Sequence, residues 1–557
     1  MDAQQPRQWG VTNPISNAPP TEADLKLNDD LVKALKAQDN FESPEGIENR
    51  QKVLRHYQRV TEAFVKRACK AKKCPESTVE SAGGKVFPYG SYALGVSNPG
   101  SDIDTLLVAP KHVNSHDFFA FFEQTFREMS DAKDIGFIVP APDAYVPIIK
   151  MEFRGIDIDL IFVSLPSISS IGPDFTGVDK NMLRGLDDVA MRSVNGIRMV
   201  KELLDSVPEP KAFRYAVRAV KLWSTQRAIY GNVFGYPGGV AWAIMVARIC
   251  QLYPKACGAT VLSKFFSLMK QWHWPRPVML KHIEEGSMGL RVWNPSIYHG
   301  DKFHLMPVIT PAFPSMCATH TITHSTKHVM LEEFNRADSI VSAISLGKKS
   351  WVDLFERHTF FTKDHKYYLS IIAACRDRKS YEGFNGLVQS KVRLLCKGID
   401  DGDAGAEIAR PYNKYFERVH RCKNEDQVEA VTKGHLTYLL SPEDTLALQK
   451  SPESAGDDHI IHTATWYIGL TLPEGPGSKS LDISFPVADF KRLITGTDSY
   501  DENTMSVNVI YTRHYDIPPD CFQPGETRPT KSTKDKKKKT VKAPKRTGTE
   551  AGLDVRK

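Results

Sequence analysis

Long apolar runs are missing from this 557-residue sequence. The best run, Gly238 to Ala247, is cut off by Arg248 and is far shorter than the ~18–20 apolar residues of a membrane-spanning helix. The opening residues Met-Asp-Ala-Gln-Gln also lack the basic start and apolar stretch of a secretory signal peptide. We therefore expect neither membrane insertion nor secretion.

Paired cysteines are also absent. The nine cysteines are scattered and odd in number, and the closest pairs, Cys69/Cys74 and Cys250/Cys257, fit neither a zinc-ligand spacing nor a disulfide framework. A protein with this cysteine usage is expected in a reducing compartment.

A histidine series at His320, His324 and His328 looks at first like a metal cluster. A zinc protease carries glutamate after the first histidine, and Thr321 stands there instead. We expect a polar helix start at this place and no zinc site.

The positive charge is concentrated at one end. From Arg528 to Lys557 there are 12 Lys and Arg against 3 Asp and Glu, and because the whole chain is +7, the rest carries −2. Residues 526–557, with the run Lys534 to Arg546, are therefore predicted to be a basic disordered tail suited to nuclear import or loose phosphate contact. Apolar residues at 41% and charged residues at 25% exclude a fibrous, collagen-like or wholly disordered chain.

The hydrophobic pattern predicts an α+β protein of several domains. The first 60 residues are predicted to form a loose arm (1–20) and helices that pack on the middle domain. The alternation that follows predicts a mixed β-sheet domain over 61–210, and a helical pattern predicts a middle domain over 211–357. Residues 358–525 are predicted to form an α/β sandwich like that of RNA-recognition modules, with strands that include Tyr367–Cys375 and Leu481–Phe485.

The most informative motif is Tyr89-Gly90-Ser91-Tyr92, followed by Gly100-Ser101-Asp102-Ile103-Asp104. A Gly-Ser turn offers a backbone N–H and a hydroxyl to phosphate oxygens. Alternate residues of a strand point the same way, so Asp102 and Asp104 share one side, and two adjacent carboxylates are costly unless a cation such as Mg²⁺ neutralises them. A third carboxylate, Asp159, lies in another apolar strand, Ile156 to Ile161.

These motifs resemble those of the eukaryotic nuclear poly(A) polymerases, which belong to the DNA-polymerase-β-like nucleotidyltransferases. Further segments carry the resemblance across about residues 15–520, including Val146 to Lys150, Lys221 to Trp223, Phe234 to Trp242 and Met306 to Pro311. The resemblance implies a template-independent enzyme that adds AMP from ATP to the 3′-hydroxyl of RNA and releases pyrophosphate. It also implies that Asp102, Asp104 and Asp159 hold two Mg²⁺ ions, with Mn²⁺ as an alternative.

The same resemblance predicts the residues that contact ATP and RNA. The predicted ATP contacts are Tyr89, Gly90, Ser91, Ser101, Tyr145, Val146, Lys150, Lys221, Tyr230, Asn232, Gly239 and Val240. Basic and aromatic residues interleave in the C-terminal region, a pattern suited to stacking and phosphate pairing. The predicted RNA contacts are Asn195, Lys363, Lys366, Arg376, Lys391 and Arg393. The role of Asp157, two residues before Asp159, stays open.

The resemblance further implies a nuclear monomer that works with the pre-mRNA cleavage and polyadenylation complex. Three alternatives remain on the sequence alone. The chain could be another RNA terminal nucleotidyltransferase (uridylyl- or CCA-adding), a synthase of 2′-5′-linked oligoadenylate, or a catalytically inactive RNA-binding homologue. All three carboxylates are present, which argues against the inactive homologue.

Overall fold

The computed structural model describes residues 8–284, 289–402, 404–451, 456–473 and 481–531. The basic run Lys534 to Arg546 and the first seven residues, on which predictions were made, lie outside these ranges. Within them the chain forms two compact units, the first from residues 8–223, 239–318 and 335–355, and the second from 224–238, 319–334 and 356–531. No helix in the described ranges combines the length and apolar character needed to cross a membrane.

The first unit begins with helices and a mixed sheet. Its N-terminal helices are α1 (Glu22–Ala37), α2 (Pro44–Ala71), α3 (Glu76–Ser81) and α4 (Gly90–Leu94), followed later by α5 (Ser115–Met129) and α6 (Asp188–Asp205). Its strands are β1 (Lys85–Pro88), β2 (Ile103–Pro110), β3 (Ile135–Ala141), β4 (Ile148–Phe153) and β5 (Ile156–Leu165). The strand order is β1-β2-β5-β4-β3, with β2 and β5 parallel and the other neighbours antiparallel.

Side-chain alternation along β2 and β5 separates two cores. Ile103 and Leu107 of β2 face the aromatic core of α2 and α5, whereas Leu106 and Val108 face the core that includes Val194 of α6. Because strand residues alternate between faces, the even-numbered residues of β2 all point toward α6. Asp104 therefore belongs to the α6 face of the sheet, at the end where β2 begins.

The rest of the first unit is helical. It holds α8 (Gly239–Leu252), α9 (Gly258–Gln271), α11 (Trp351–Leu354), and parts of α7 (Pro210–Gln226) and α10 (His324–Ser345). The buried Trp223 and Trp242 rings lie 5.7 Å apart in its core. The N-terminal segment is not loose where it is described, because the Ile15 amide donates to the Leu252 carbonyl of α8 at 2.8 Å.

The second unit is built on an antiparallel sheet. Its strands are β6 (Tyr367–Cys375), β7 (Ile408–Pro411), β8 (Phe416–Cys422), β9 (His459–Thr471) and β10 (Met505–Arg513), ordered β10-β6-β9-β7 with β8 also paired to β9. Its helices include α12 (Arg378–Asp401), α13 (Glu425–Thr432), α14 (Pro442–Lys450) and α15 (Ser484–Thr495). The strand predicted over 481–485 is wrong, because α15 begins at Ser484 and leaves Phe485 82% exposed.

Candidate active site

The three predicted carboxylates converge in the first unit. Asp104 of β2 pairs in register with Asp159 of the parallel strand β5, and Asp102 lies just before β2. One carboxylate oxygen from each of the three residues lies within 4.8 Å of the others. The sequence-based expectation that these groups point to one place is therefore met by the geometry.

The environment makes the charged form of this cluster costly. Burial raises the pKa of Asp104 to about 6, and the neighbouring charges of Asp102 and Asp159 add to that rise, while Lys221 and Lys150 oppose it. Burial likewise raises the pKa of Asp159, against the opposing effect of Lys150. A bound divalent cation would offset this cost, and oxygen donors this close together are the ligands that Mg²⁺ prefers. The donor set therefore fits a divalent metal ion.

Two lysines place positive charge beside the three carboxylates. The Lys150 ammonium on β4 lies 3.4 Å from the Asp159 carboxylate, and Lys150 pairs with Asp159 across the β4–β5 ladder. Burial lowers the pKa of Lys221 on α7, and the negative charge of Asp102 counteracts that effect. Both predicted ATP contacts thus lie beside the carboxylates, where they can meet a triphosphate.

The predicted Gly-Ser turn is the start of the short helix α4. Gly90 has a left-handed φ of 63°, and the backbone N–H of Tyr89 donates to the Asp104 carbonyl at 2.9 Å. The Tyr89 ring lies against Gly196 of α6, where an added Cβ would overlap it. Ser91 belongs to the same short helix. Burial is the main cause that raises the pKa of the Tyr89 hydroxyl.

Two arginines of α7, Arg214 and Arg218, hold this helix in position. Arg218 is buried and donates to the carbonyl oxygens of Ser97 at 2.8 Å and Gly95 at 3.0 Å. Arg214 donates to the Leu94 carbonyl at 3.0 Å. These bonds fix the end of α4 and the segment that leads to Asp102.

Other predicted ATP contacts lie in varied surroundings. The Ser101 hydroxyl donates to the Asn98 side chain at 2.6 Å, so it stabilises its own loop. Tyr145 is 79% exposed, and the Arg192 guanidinium lies 4.1 Å from the centre of its ring. Val146 packs against the core on the α6 side of the sheet. Gly239 and Val240 begin α8, also in the first unit.

Tyr230 and Asn232 belong to the second unit. The Tyr230 carbonyl accepts a hydrogen bond from Asn413 at 2.9 Å, and the Asn232 side chain accepts one from Thr321 at 2.6 Å. Their assignment as ATP contacts stays a prediction. Asp157 is exposed on β5, outside the carboxylate cluster, although its charge contributes to the raised pKa of Asp159.

The predicted RNA contacts lie on several elements of both units, and their assignment stays a prediction. Asn195 lies on α6 of the first unit, next to Gly196. Lys366 and Arg376 flank the two ends of β6, about 30 Å apart at ~3.3 Å per residue. Arg376 forms a two-bond ion pair with Glu425. Lys363 is exposed before β6, whereas Lys391 and Arg393 lie on α12, and burial lowers the pKa of Arg393.

Comparison with known proteins assigns the chain to a family. Three family models match successive parts of it: the poly(A) polymerase nucleotidyltransferase domain over residues 10–207, the central domain over 212–357 and the predicted RNA-binding domain over 359–531. The poly(A) polymerase PAPalpha of Candida albicans is 45% identical over 543 residues, which cover 96% of each chain. The poly(A) polymerase pla1 of Schizosaccharomyces pombe is 44% identical over 548 residues, which cover 95% of this chain and 96% of that protein.

Among solved structures, a chain of Cid1, described by its RNA terminal uridylyl transferase activity, is 14% identical with a TM-score of 0.38. The superposition covers 60% of this chain and 99% of the Cid1 chain. A structural similarity this weak supports no conclusion about function. The full-length relatives and the three family models confirm the resemblance drawn from the motifs. The chain belongs to the poly(A) polymerase family.

Proposed function

We propose that this protein is a template-independent poly(A) polymerase, which adds AMP from ATP to the 3′-hydroxyl of RNA. The oxygen of the 3′-hydroxyl forms a bond to the α-phosphorus of ATP, the bond to the β-phosphate oxygen breaks, and pyrophosphate leaves. The observation that carries the proposal is the convergence of Asp102, Asp104 and Asp159 within 4.8 Å of one another. The names of the full-length relatives support adenylate as the transferred group.

The three carboxylates are proposed to hold two Mg²⁺ ions. When bound, the pair would supply activation of the attacking hydroxyl and stabilisation of charge on the phosphates and leaving group. The protein's own part is to fix the ligands: the β2–β5 ladder sets the spacing of Asp104 and Asp159, and the Arg218 bonds hold the segment before Asp102. Lys150 and Lys221 would orient and partly neutralise the triphosphate.

The contacts to the rest of ATP, the contacts to RNA and the boundaries of the domains are also proposals. The base and ribose of ATP would meet Tyr89, Tyr145, Val146, Gly239 and Val240. RNA would meet the C-terminal domain, which we place at residues 358–525, after a catalytic domain over 61–210 and a middle domain over 211–357. We further propose that the protein acts in the nucleus as a monomer that the cleavage and polyadenylation complex recruits, as the resemblance to nuclear poly(A) polymerases implies.

The test is incorporation of α-labelled nucleotide onto an oligoadenylate primer with Mg²⁺, with and without EDTA. All four NTPs are compared side by side, and we expect ATP to be strongly preferred and EDTA to abolish incorporation.

The Asp104→Ala variant should lose at least about 1,000-fold in turnover while it still binds RNA. Asp157→Ala, which removes an exposed carboxylate on the neighbouring strand β5, serves as the matched control, and we expect it to keep most of its activity. Substantial turnover by the Asp104→Ala variant would overturn the assignment.

A further inference from the structure

A basic groove lies on the first unit, away from the residues assigned above. Its lining includes Lys52, Arg55, His56 and Arg59 of α2, and Arg154 from the turn between β4 and β5. Positions 52, 55 and 59 follow a three-and-four spacing, so their side chains share one face of the helix. The groove encloses about 530 Å³.

The positive charge of this basic groove is only partly neutralised. Lys52 pairs with the exposed Glu48 at 2.8 Å, and Arg154 pairs with Asp134 at 2.8 Å. Arg55 and Arg59 are exposed, and within the described ranges neither forms an ion pair with an acidic side chain. The four cations Lys52, Arg55, Arg59 and Arg154 outnumber the acidic partners Glu48 and Asp134, so these groups together carry a net positive charge.

The groove lies on the α2 face of the sheet, near the end at which β2 and β5 begin, and the carboxylates lie at that same end on the α6 face. Arg50 of α2 is buried and donates to the Pro99 carbonyl at 3.0 Å, three residues before Asp102. Asn49 donates to the Arg154 carbonyl at 3.3 Å. Arg154 lies in the turn before β5 and precedes Asp159 by five residues, which limits their separation to at most about 18 Å.

The position of Arg154 is fixed by aromatic packing. Phe153 is buried, the His56 ring stacks on it at 5.1 Å, and the Arg154 guanidinium lies 5.4 Å from the same ring. Arg154 also has a left-handed φ of 53°, which turns the chain sharply at the tip of the hairpin. The charged group is thus held beside α2 by neighbours that do not depend on a ligand.

We propose that this basic groove binds the phosphodiester backbone of the RNA substrate, upstream of its 3′ end. Guanidinium groups pair with phosphate oxygens in two-bond geometry, and three of the five lining residues named are arginines. A protein partner would be expected to bury an apolar anchor, but the aromatic ring at this place is already covered by His56 and Arg154. The inference rests on the proposed function, because RNA is the substrate that the function supplies.

The test compares two charge-reversed variants of equal charge change. Arg55→Glu/Arg59→Glu reverses the two groove cations that form no ion pair, and Lys70→Glu/Lys73→Glu is the matched control, with one exposed lysine in the last turn of α2 and one just after it. Lys70 lies about 22 Å along the helix from Arg55, at ~1.5 Å per residue. Binding of a fluorescent 18-nucleotide oligoadenylate is measured over a range of salt concentrations, and circular dichroism checks that each variant is folded.

We expect the groove variant to bind the oligoadenylate at least about tenfold more weakly at low salt. Its plot of log affinity against log salt should be shallower by about 1.4, because each phosphate contact to a single strand contributes about 0.7. The control should match the unmodified protein. Equal affinity and slope for the groove variant would overturn the inference, and so would equal weakening of both folded variants.

A labelled oligoglutamate peptide provides the contrasting probe. If the groove variant keeps its affinity for RNA and loses affinity for the peptide, the surface recognises an acidic protein and the inference is overturned. The binding experiment needs no turnover, so it is independent of the assay for the proposed function. A chain that binds oligoadenylate through the groove but incorporates no nucleotide would contradict the proposed function alone.

Discussion

Gly90 lies directly against Asp104, so that a Cβ atom added to Gly90 would overlap the Oδ2 atom of the carboxylate. The sequence suggested that glycine is needed here to let phosphate approach the backbone. The structure gives a further reason, because the absence of a side chain lets α4 pass beside a carboxylate of the cluster.

Gly90→Ala should therefore lower activity more than stability. The left-handed φ of 63° costs an alanine about 1–2 kcal/mol, and the new methyl group would displace the Asp104 carboxylate. We expect a drop of at least about 100-fold in kcat, since misplacement by ~1 Å has effects of that size. Gly100→Ala is the matched control, because nothing lies within 4 Å of an added Cβ there. Equal activity of the two variants would contradict the assignment.

Lys221→Met should reduce kcat/KM for ATP by about 10- to 100-fold, because a hydrogen bond to a charged group contributes about 1.5–3 kcal/mol. The methionine keeps the length of the side chain and removes the charge. Lys211→Met on the same helix, where Lys211 is exposed, should leave steady-state kinetics unchanged. An unaltered kcat/KM for ATP in the Lys221 variant would exclude a triphosphate contact.

Glu333→Ala should destabilise the protein severely. Glu333 and Arg227 are buried, and they form two hydrogen bonds of 2.9 Å. Removing the carboxylate leaves a buried guanidinium without its counter-charge, which costs about 3–5 kcal/mol. Urea denaturation measures the loss. Asp205→Ala breaks the exposed Lys201–Asp205 pair and should cost no more than about 0.5 kcal/mol. A comparable loss in both variants would show that burial does not matter here.

His358 should make the protein sensitive to acid. Burial and the charges of Arg357, Arg410 and Arg227 lower the pKa of His358 to about 2, and its Nδ1 accepts a hydrogen bond from the Phe360 amide, which requires that nitrogen to be unprotonated. The unfolded chain takes up a proton below pH 6.5 and the native chain does not, so stability falls as the pH drops below that value.

The His358→Gln variant should therefore lose about 2 kcal/mol less unfolding free energy between pH 6.5 and pH 5 than the unmodified protein. Urea denaturation at the two pH values measures the difference. His116→Gln replaces an exposed histidine and should follow the unmodified protein. If the His358 variant shows the same acid dependence as the unmodified protein, the histidine is not held neutral by its surroundings.

The sequence was most informative where alternation alone decides the structure. Alternation along β2 predicts that Asp102 and Asp104 share one side, and the family resemblance, not the apolar pattern, implies that Asp159 joins them at the metal ions. The Tyr89-Gly90-Ser91 segment was harder, because α4 is only five residues long and depends on Arg214 and Arg218 from a distant helix. The residues of α4 and their immediate neighbours in the sequence do not show that the helix depends on these two arginines.

Short sequence patterns were poor predictors of local structure and of free charges in the C-terminal region. Leu481, Ile483 and Phe485 alternate like a strand, but so few residues are equally compatible with the approach to a helix, and α15 buries Pro486 and Phe490 instead. Arg376 appeared to be available for RNA, yet it pairs with Glu425, a partner 49 residues away in the chain. Basic composition predicts the general chemistry of such a surface and not which of its cations are already neutralised.

The hydrogen-bonded ladder between β2 and β5 has a further consequence for how the site tolerates change. Asp104 and Asp159 owe their separation to backbone pairing, so a one-residue deletion near the start of β5 would bring an aliphatic side chain opposite Asp104. Substitutions in the surrounding loops can weaken the site by degrees, whereas a slip of this strand would remove a ligand in a single step. We expect length changes to be far rarer than substitutions between Arg154 and Asp159 in functional descendants of this sequence.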